Sequence, residues 1–255
     1  AARLSKHNGL LVCLLFWLFP LLNFILWSTE SECYVGLKTL TKLTVRPGES
    51  ITLACVYDQS FKHHKKFWCY RSTFWYCNIM ATANNTKGKV TVTDYPEYDF
   101  FTVTMRNMQT SDYTQYWCAM ALTETSPYDD MKELSIKYQS DPDLSVERSV
   151  VSGEVGGNVS VQCHYSNKYR GEKKKWCRFK DPKCSSVGGS VAPAGTKSQI
   201  RDVGAGTLSV EMVGVKETDT GWYWCEVGDL QIPVYLNITQ HAASMFTIHL
   251  ADMFT

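Results

Sequence analysis

Two of the Trp-Cys doublets in this sequence, Trp68-Cys69 and Trp176-Cys177, are each followed a few residues on by another cysteine, Cys77 and Cys184. Three chemistries suit such thiols: metal coordination, thiol-disulfide exchange, and a permanent covalent link. A structural metal site needs about four ligands. Histidines stand near each pair, His63 with His64 in one case and His164 in the other, but the tight CxxC spacing of structural zinc sites is absent. Exchange chemistry of the thioredoxin kind expects CxxC beside a βαβ pattern, and neither occurs. A staple is the working reading, and no metal and no cofactor are expected.

No serine elbow, glycine-rich phosphate loop, paired carboxylates or His-Cys set forms a recognisable catalytic constellation, so the chain is not expected to be an enzyme. Lys plus Arg number 26 against 25 for Asp plus Glu, which gives no global bias toward nucleic acid. Charge is instead local. Lys62, His63, His64, Lys65 and Lys66 stand together in one segment, and Lys168, Arg170, Lys173, Lys174 and Lys175 in another. Either cluster suits an anionic partner: a sialylated glycan, a phospholipid headgroup or an acidic protein patch. The plainer reading is a solvated basic loop, just as the histidine doublet is either an acid sensor or an ordinary loop pair.

The elements that hold these residues begin after an unusual N-terminus. Arg3 and Lys6 precede a run that is apolar from Gly9 to Trp27 except for Asn23, and small polar residues follow. Residues 1–31 are similar to a secretory signal peptide; an uncleaved anchor is the alternative, which Pro20 and Asn23 weaken. Both readings export the remainder into an oxidising compartment, where disulfides are the rule. Glycosylation sequons at Asn84, Asn158 and Asn237 accord with that route.

An internal repeat organises the rest. Cys55, Trp68 and Cys69 recur as Cys163, Trp176 and Cys177, each 108 residues on, while Asp112, Tyr116 and Cys118 recur as Asp219, Tyr223 and Cys225, each 107 on. Both units alternate in strand fashion: Ile51, Leu53 and Cys55 share one face, as do Val159, Val161 and Cys163. Turn segments such as RPGES, GEVGGN and DVGAG separate short strands, so the expected class is all-β. A cysteine pair about sixty residues apart, with tryptophan 13 positions after the first, is the immunoglobulin fingerprint, with the indole against an inter-sheet disulfide. The expectation is two tandem variable-type immunoglobulin sandwiches over 32–139 and 140–239, with core pairs Cys55-Cys118 and Cys163-Cys225 around Trp68, Trp176, Tyr116, Tyr223, Asp112 and Asp219. If Trp176 points inward, Cys177 points outward, and its natural partner is Cys184; Cys69 has Cys77 in the same relation. Trp117 and Trp224, each beside a core cysteine, then face outward too, as binding anchors or as packing against the staple.

The phrases KKFWCYRSTFWYC with SDYTQYWC, and KKKWCRFKDPKC with DTGWYWC, resemble the polymeric immunoglobulin receptor family and its CMRF-type leukocyte relatives. The resemblance spans roughly Glu32 to Thr239 and departs from the pattern at Thr114, where the family's glycine would stand. It implies a plasma-membrane receptor ectodomain that recognises polymeric immunoglobulin, a lipid headgroup or another cell-surface ligand, for transport or signalling. By the same resemblance Tyr128, Asp129 and Asp130 could offer oxygens to a ligand-holding calcium ion, although an exposed turn explains them more simply. An antigen-receptor identity lacks the F-G-x-G bulge of a joining segment. The tail 240–255 is too short and too polar to cross a bilayer, so the expectation is a truncated or alternatively spliced form of a membrane receptor, with a secreted binder or decoy as the alternative. Cys33 is left unpaired by this arithmetic, which makes it a candidate inter-chain bridge of a disulfide dimer.

Overall fold

The computed structural model describes residues 36–73, 76–123, 130–180, 184–188 and 197–240; residues 1–31 expected as a signal peptide, Cys33, Tyr128, Asp129 and the tail from 241 lie outside the described residues. The chain divides into two compact units, and the described residues contain no α-helix. Sheet pairing builds two immunoglobulin sandwiches of two sheets each.

The first is built from β1 (Lys42–Val45), β2 (Ile51–Val56), β3 (Lys65–Thr73), β4 (Tyr76–Thr82), β5 (Asn85–Lys87), β6 (Val90–Tyr95), β7 (Phe100–Met105), β8 (Gln115–Ala121) and β9 (Asp130–Tyr138). One sheet runs β1-β9-β8-β3-β4 and the other β2-β7-β6-β5. Side chains alternate across a strand, so one face of each sheet is apolar by sequence and must be covered. Leu53, Cys55, Phe101, Val103 and Met105 form that face on β2 and β7 and are buried. Register places Cys55 opposite Phe101 and Trp68 opposite Cys118, which brings the two core cysteines to face each other between the sheets.

The second sandwich comprises β10 (Leu144–Val146), β11 (Val150–Glu154), β12 (Asn158–Tyr165), β13 (Lys174–Arg178), β14 (Ser185–Ser186), β15 (Lys197–Gly204), β16 (Thr207–Val213), β17 (Gly221–Val227) and β18 (Leu230–Thr239). Its sheets run β11-β18-β17-β13-β14 and β10-β12-β16-β15, with β11 parallel to β18. Val159, Val161, Leu208, Val210, Val234 and Leu236 fill the space between them around Cys163, Trp176 and Cys225.

Both cores repeat one stack. The Trp68 indole lies 5.3 Å from the Tyr116 ring at an interplanar angle of 14°, and Trp176 lies 5.1 Å from Tyr223 at 9°. Tyr223 closes the corner of β17 by donating its hydroxyl to the Asp219 carbonyl at 2.9 Å, while the buried Asp219 carboxylate accepts from the Lys216 amide. Asp112 takes the corresponding place in the first unit but is half-buried and pairs with Lys89.

The turn between β15 and β16 requires glycine at one position. Gly206 has φ +80°, and a β-carbon there would sit 2.5 Å from the Tyr165 carbonyl oxygen. That close approach lets the Gly206 carbonyl accept the Tyr165 amide at 2.7 Å. Gly206→Ala therefore adds left-handed strain and a clash with backbone. We expect it to cost about 2 kcal/mol and to lower the melting temperature of the second domain by on the order of 10 °C, read by calorimetry; an unchanged melt would show that the turn relaxes freely.

Candidate ligand-binding loops

The segment from β2 to β3 forms a 3-10 turn over Gln59–Phe61, capped by Asp58, whose side chain accepts from the Ser60 amide at 2.9 Å. Backbone bonds from Phe61 to Asp58, Lys62 to Gln59 and His64 to Phe61 continue the winding. Lys62 reaches Glu97 in the β6–β7 turn at 2.9 Å, His63 and Lys65 are exposed, and His64 rests edge-on against Phe61 at 5.0 Å. The structure thus gathers Lys62, His63 and His64 on one short turn, with Lys65 opening β3 directly after it.

Lys66 is different. It lies two residues before Trp68 on β3, so alternation points it inward with the indole. Its side chain is 1 % exposed. The ammonium donates to the Lys62 carbonyl at 2.7 Å, pairs with Asp94 at 3.1 Å, and lies 4.4 Å from the centre of the Tyr57 ring. The Tyr57 hydroxyl donates to the other Asp94 oxygen at 2.7 Å.

The second domain repeats this arrangement. Lys174, two before Trp176, donates to the carbonyls of Arg170 at 2.7 Å and Glu172 at 3.0 Å, with Tyr169 at 3.5 Å. It pairs with Asp202 at 3.2 Å and lies 4.7 Å from the Tyr165 ring, whose hydroxyl donates to Asp202 at 2.6 Å. Of the other basic residues there, Lys168 pairs with Asp143 at 2.6 Å, Lys175 pairs with Glu226 at 2.7 Å, Arg170 donates to Asn167 at 3.2 Å, and Lys173 is exposed.

A buried ammonium is tolerated only when its donors are satisfied and a counter-charge is at hand. Both sites meet that condition. Burial pushes Lys66 below the ordinary lysine value against the opposing pull of Asp94. Burial, reinforced by hydrogen bonds to Asp94 and Asp202, pushes Tyr57 upward and Tyr165 up to about 12, so both hydroxyls stay protonated donors. Burial opposes ionisation of Asp202, but the bonds from Tyr165, the Gly204 amide and Lys174 outweigh it and hold the carboxyl below its usual range.

The remaining candidate residues are engaged locally. Asp130 accepts the Leu37 amide at 2.5 Å and the Met131 amide at 2.8 Å, so its carboxylate already serves backbone donors. No group of three or more His, Cys, Asp or Glu residues that could hold a metal ion occurs among the described residues. Cys69 bonds Cys77 and Cys177 bonds Cys184, alongside the Cys55–Cys118 and Cys163–Cys225 core bridges. On chain-entropy grounds the short staples contribute about 2.5 kcal/mol each and the core bridges about 4 kcal/mol.

Trp117 packs with Met131 against a buried cluster of Phe67, Cys69, Cys77, Ala119 and Ala121, and the Arg71 guanidinium lies 5.2 Å from its ring. In the second domain Trp224 meets Phe179 edge-on at 4.8 Å and donates its indole N–H to Glu226 at 3.2 Å, and Gln231 donates to the same carboxylate. Asn84, Asn158 and Asn237 are all exposed. Sequence reasoning missed Tyr57, Asp94, Tyr165 and Asp202, and it grouped Lys66 and Lys174 with the solvent-facing cations.

The depressed Asp202 carboxyl carries a pH signature. Its stabilisation is fully present above the ordinary value of 3.8 and is lost as pH falls through the lower folded value. Asp202→Asn should lower the stability of the second domain by about 2 kcal/mol, and the gap to the parent should stay flat from neutral to mildly acidic pH. It should close only below the usual carboxylate range. Urea melts across that range test this, and a gap that closes already under mildly acidic conditions would contradict it.

The model of the immunoglobulin V-set domain matches residues 38–137 and 146–241. The mouse (Mus musculus) polymeric immunoglobulin receptor is 26% identical over 222 residues, 82% of this chain and 28% of the receptor. Human (Homo sapiens) CMRF35-like molecule 2 is 36% identical over 107 residues, 40% of this chain and 50% of that protein. A crystal structure of the teleost fish polymeric Ig receptor ectodomain is 33% identical, covering 81% of this chain and 99% of that one, with a TM-score of 0.37. The chain spans about a quarter of the length of the rodent polymeric receptors it matches, 25% for rat and 28% for mouse. With both of its sandwiches matched, the chain belongs to the immunoglobulin V-set family and is a relative of the polymeric immunoglobulin receptors and CMRF35-like molecules.

Proposed function

We propose that this chain is the ligand-recognising ectodomain of a cell-surface receptor and that its ligand is a polymeric immunoglobulin, bound non-covalently. The observation that carries the reading is the relation to polymeric immunoglobulin receptors through both domains rather than one, 82% of the chain in the mouse comparison. The extra Cys69–Cys77 and Cys177–Cys184 bridges support it, since they stiffen the hairpins beside the loops. A pre-stiffened loop loses less entropy on binding.

The contact surface belongs to the first domain, at the turn that presents Lys62, His63 and Lys65. Exposed cations at the edge of an interface act mainly on encounter rate and salt sensitivity. Lys66 and Asp130 are not contacts in this reading, because the first is buried and the second is held by backbone amides. Domain limits at 32–139 and 140–239, and glycans on the exposed Asn84, Asn158 and Asn237, belong to the same proposal.

Surface plasmon resonance of the secreted chain against purified polymeric and monomeric immunoglobulin tests it. Polymeric immunoglobulin should bind more tightly, and the double variant Lys62→Ala, Lys65→Ala should bind about tenfold more weakly with a shallower salt dependence. Binding of neither protein, together with capture by vesicles containing phosphatidylserine, would move the ligand to the anionic-lipid class and overturn the proposal.

A further inference from the structure

Each domain buries one lysine that the recognition chemistry does not need at the surface, and in each the ammonium makes the same three kinds of contact. One is a carboxylate on the strand across the sandwich, Asp94 for Lys66 and Asp202 for Lys174. The second is the face of a tyrosine ring at 4.4 Å or 4.7 Å. The third is backbone carbonyl oxygen of the loop that immediately precedes it: Lys62 in the first domain, Arg170 and Glu172 at close range in the second, with Tyr169 at 3.5 Å.

Only the third contact is made by loop carbonyls, and it is directional. A carbonyl oxygen within 2.7–3.0 Å of a buried ammonium points into the sandwich. The corresponding peptide units cannot rotate without stranding a charged donor in a dry site, which is costly. The first two contacts explain why the ammonium itself cannot leave. The counter-ion is in turn oriented by a tyrosine hydroxyl at 2.7 Å or 2.6 Å. That tyrosine is held by a backbone bond to the turn opposite, from Tyr57 to Asp99 and from Tyr165 to Gly206. A chain of fixed groups therefore runs from the β6–β7 or β15–β16 turn, through tyrosine, carboxylate and lysine, to the carbonyls of the loop.

The geometry points to Lys66 and Lys174 as positioning residues that set the backbone of the β2–β3 and β12–β13 loops from beneath, and so fix where Lys62, His63 and Lys65 stand on the first-domain surface. This rests on the reading above for what the loop binds, but not for how the loop is held. The two domains differ in grip. Lys66 holds a single loop carbonyl, whereas Lys174 holds those of Arg170 and Glu172 with Tyr169 beside them, so the first-domain loop is the more adaptable platform and the second the more rigid.

Hydrogen-deuterium exchange on the secreted full chain reads this directly. In the parent, amides of the first loop, Phe61, Lys62 and His64, should exchange faster than Tyr169, Arg170 and Glu172 of the second. Lys66→Met, which keeps the side-chain length without the charge, should raise exchange of the first-loop amides by about tenfold while leaving β2 and β7 protected. Lys174→Met should do the same to the second loop only. Binding of polymeric immunoglobulin should weaken about tenfold in Lys66→Met and remain at the parent value in Lys174→Met. Unchanged loop exchange in a folded Lys66→Met, or a rise spread evenly through the first domain, overturns the proposal. Should that variant not be secreted, Tyr57→Phe keeps the charge pair and removes only the hydroxyl that orients Asp94; it should give a smaller rise confined to the same amides, and no rise there also overturns the proposal. If the parent itself fails to bind polymeric immunoglobulin, the functional reading falls while the exchange comparison still decides this one.

Discussion

Two sheets facing each other across an apolar layer stay in register because a disulfide crosses that layer once in each domain, at Cα separations of 6.3 Å and 6.6 Å. Each bridge closes a long loop, so it removes much of the freedom of the unfolded chain. Its geometric effect matters equally here. With Cys55 fixed to Cys118, the indole of Trp68 has one place to go, and the tyrosine two residues before the second cysteine stacks on it. The inward direction of Trp68 then decides that Lys66 is inward and Cys69 outward. A buried charge and an external staple both follow from one strand's phase relative to one covalent bond.

That phase explains why the two faces of β3 and β13 carry such different chemistry. The inner face ends in an ammonium that the sandwich must neutralise, and it does so with a carboxylate and a tyrosine from the opposite sheet. The outer face carries the short disulfide together with an apolar cluster in the first domain and a Lys175–Glu226 pair in the second. At the shared structural positions the copies have therefore diverged on the outside, Phe67 against Lys175 and Ala119 against Glu226, while the inside keeps Lys66 as Lys174, Trp68 as Trp176 and Tyr116 as Tyr223. Inner positions are constrained by packing and charge at once, and a change in one member leaves the others unsatisfied.

Much of the fold could be read from the sequence because its signals are periodic and covalent. Alternation in SITLAC and NVSVQC, the paired cysteines and the recurrence of Trp68 as Trp176 define the strands and the sandwich. The candidate site was less legible. Lys62 through Lys66 look like one basic run, and only extending the alternation back from Trp68 separates the buried lysine from its exposed neighbours. Tyr57 with Tyr165 and Asp94 with Asp202 recur at the same spacing as the lysines, each 108 residues apart, so that signal was present but carried no motif to draw attention to it. The engagement of Asp130 with the Leu37 amide was not legible at all, because it joins residues far apart in sequence through a contact that no local pattern encodes.

The repeat also records where the chain tolerated a change of length after it was duplicated. Asp94 and Asp202 are 108 residues apart, but Asp99 and Gly206, at the end of the next turn, are 107 apart. Cys69 and Cys77 are separated by 8 residues where Cys177 and Cys184 are separated by 7. The first of these changes falls at the β6–β7 turn and the second within the β3–β4 hairpin. A residue lost inside a strand would flip all later side chains to the opposite face, exposing core and burying charge at a stroke, whereas a turn absorbs it for a small cost in loop closure. At the β6–β7 turn the divergence of the two copies is thus channelled by geometry into a connection between strands. The β2–β3 and β12–β13 loops kept one length instead, 13 residues from Cys55 to Trp68 and from Cys163 to Trp176, so the loop proposed to meet a partner differs between the copies by side chain rather than by length.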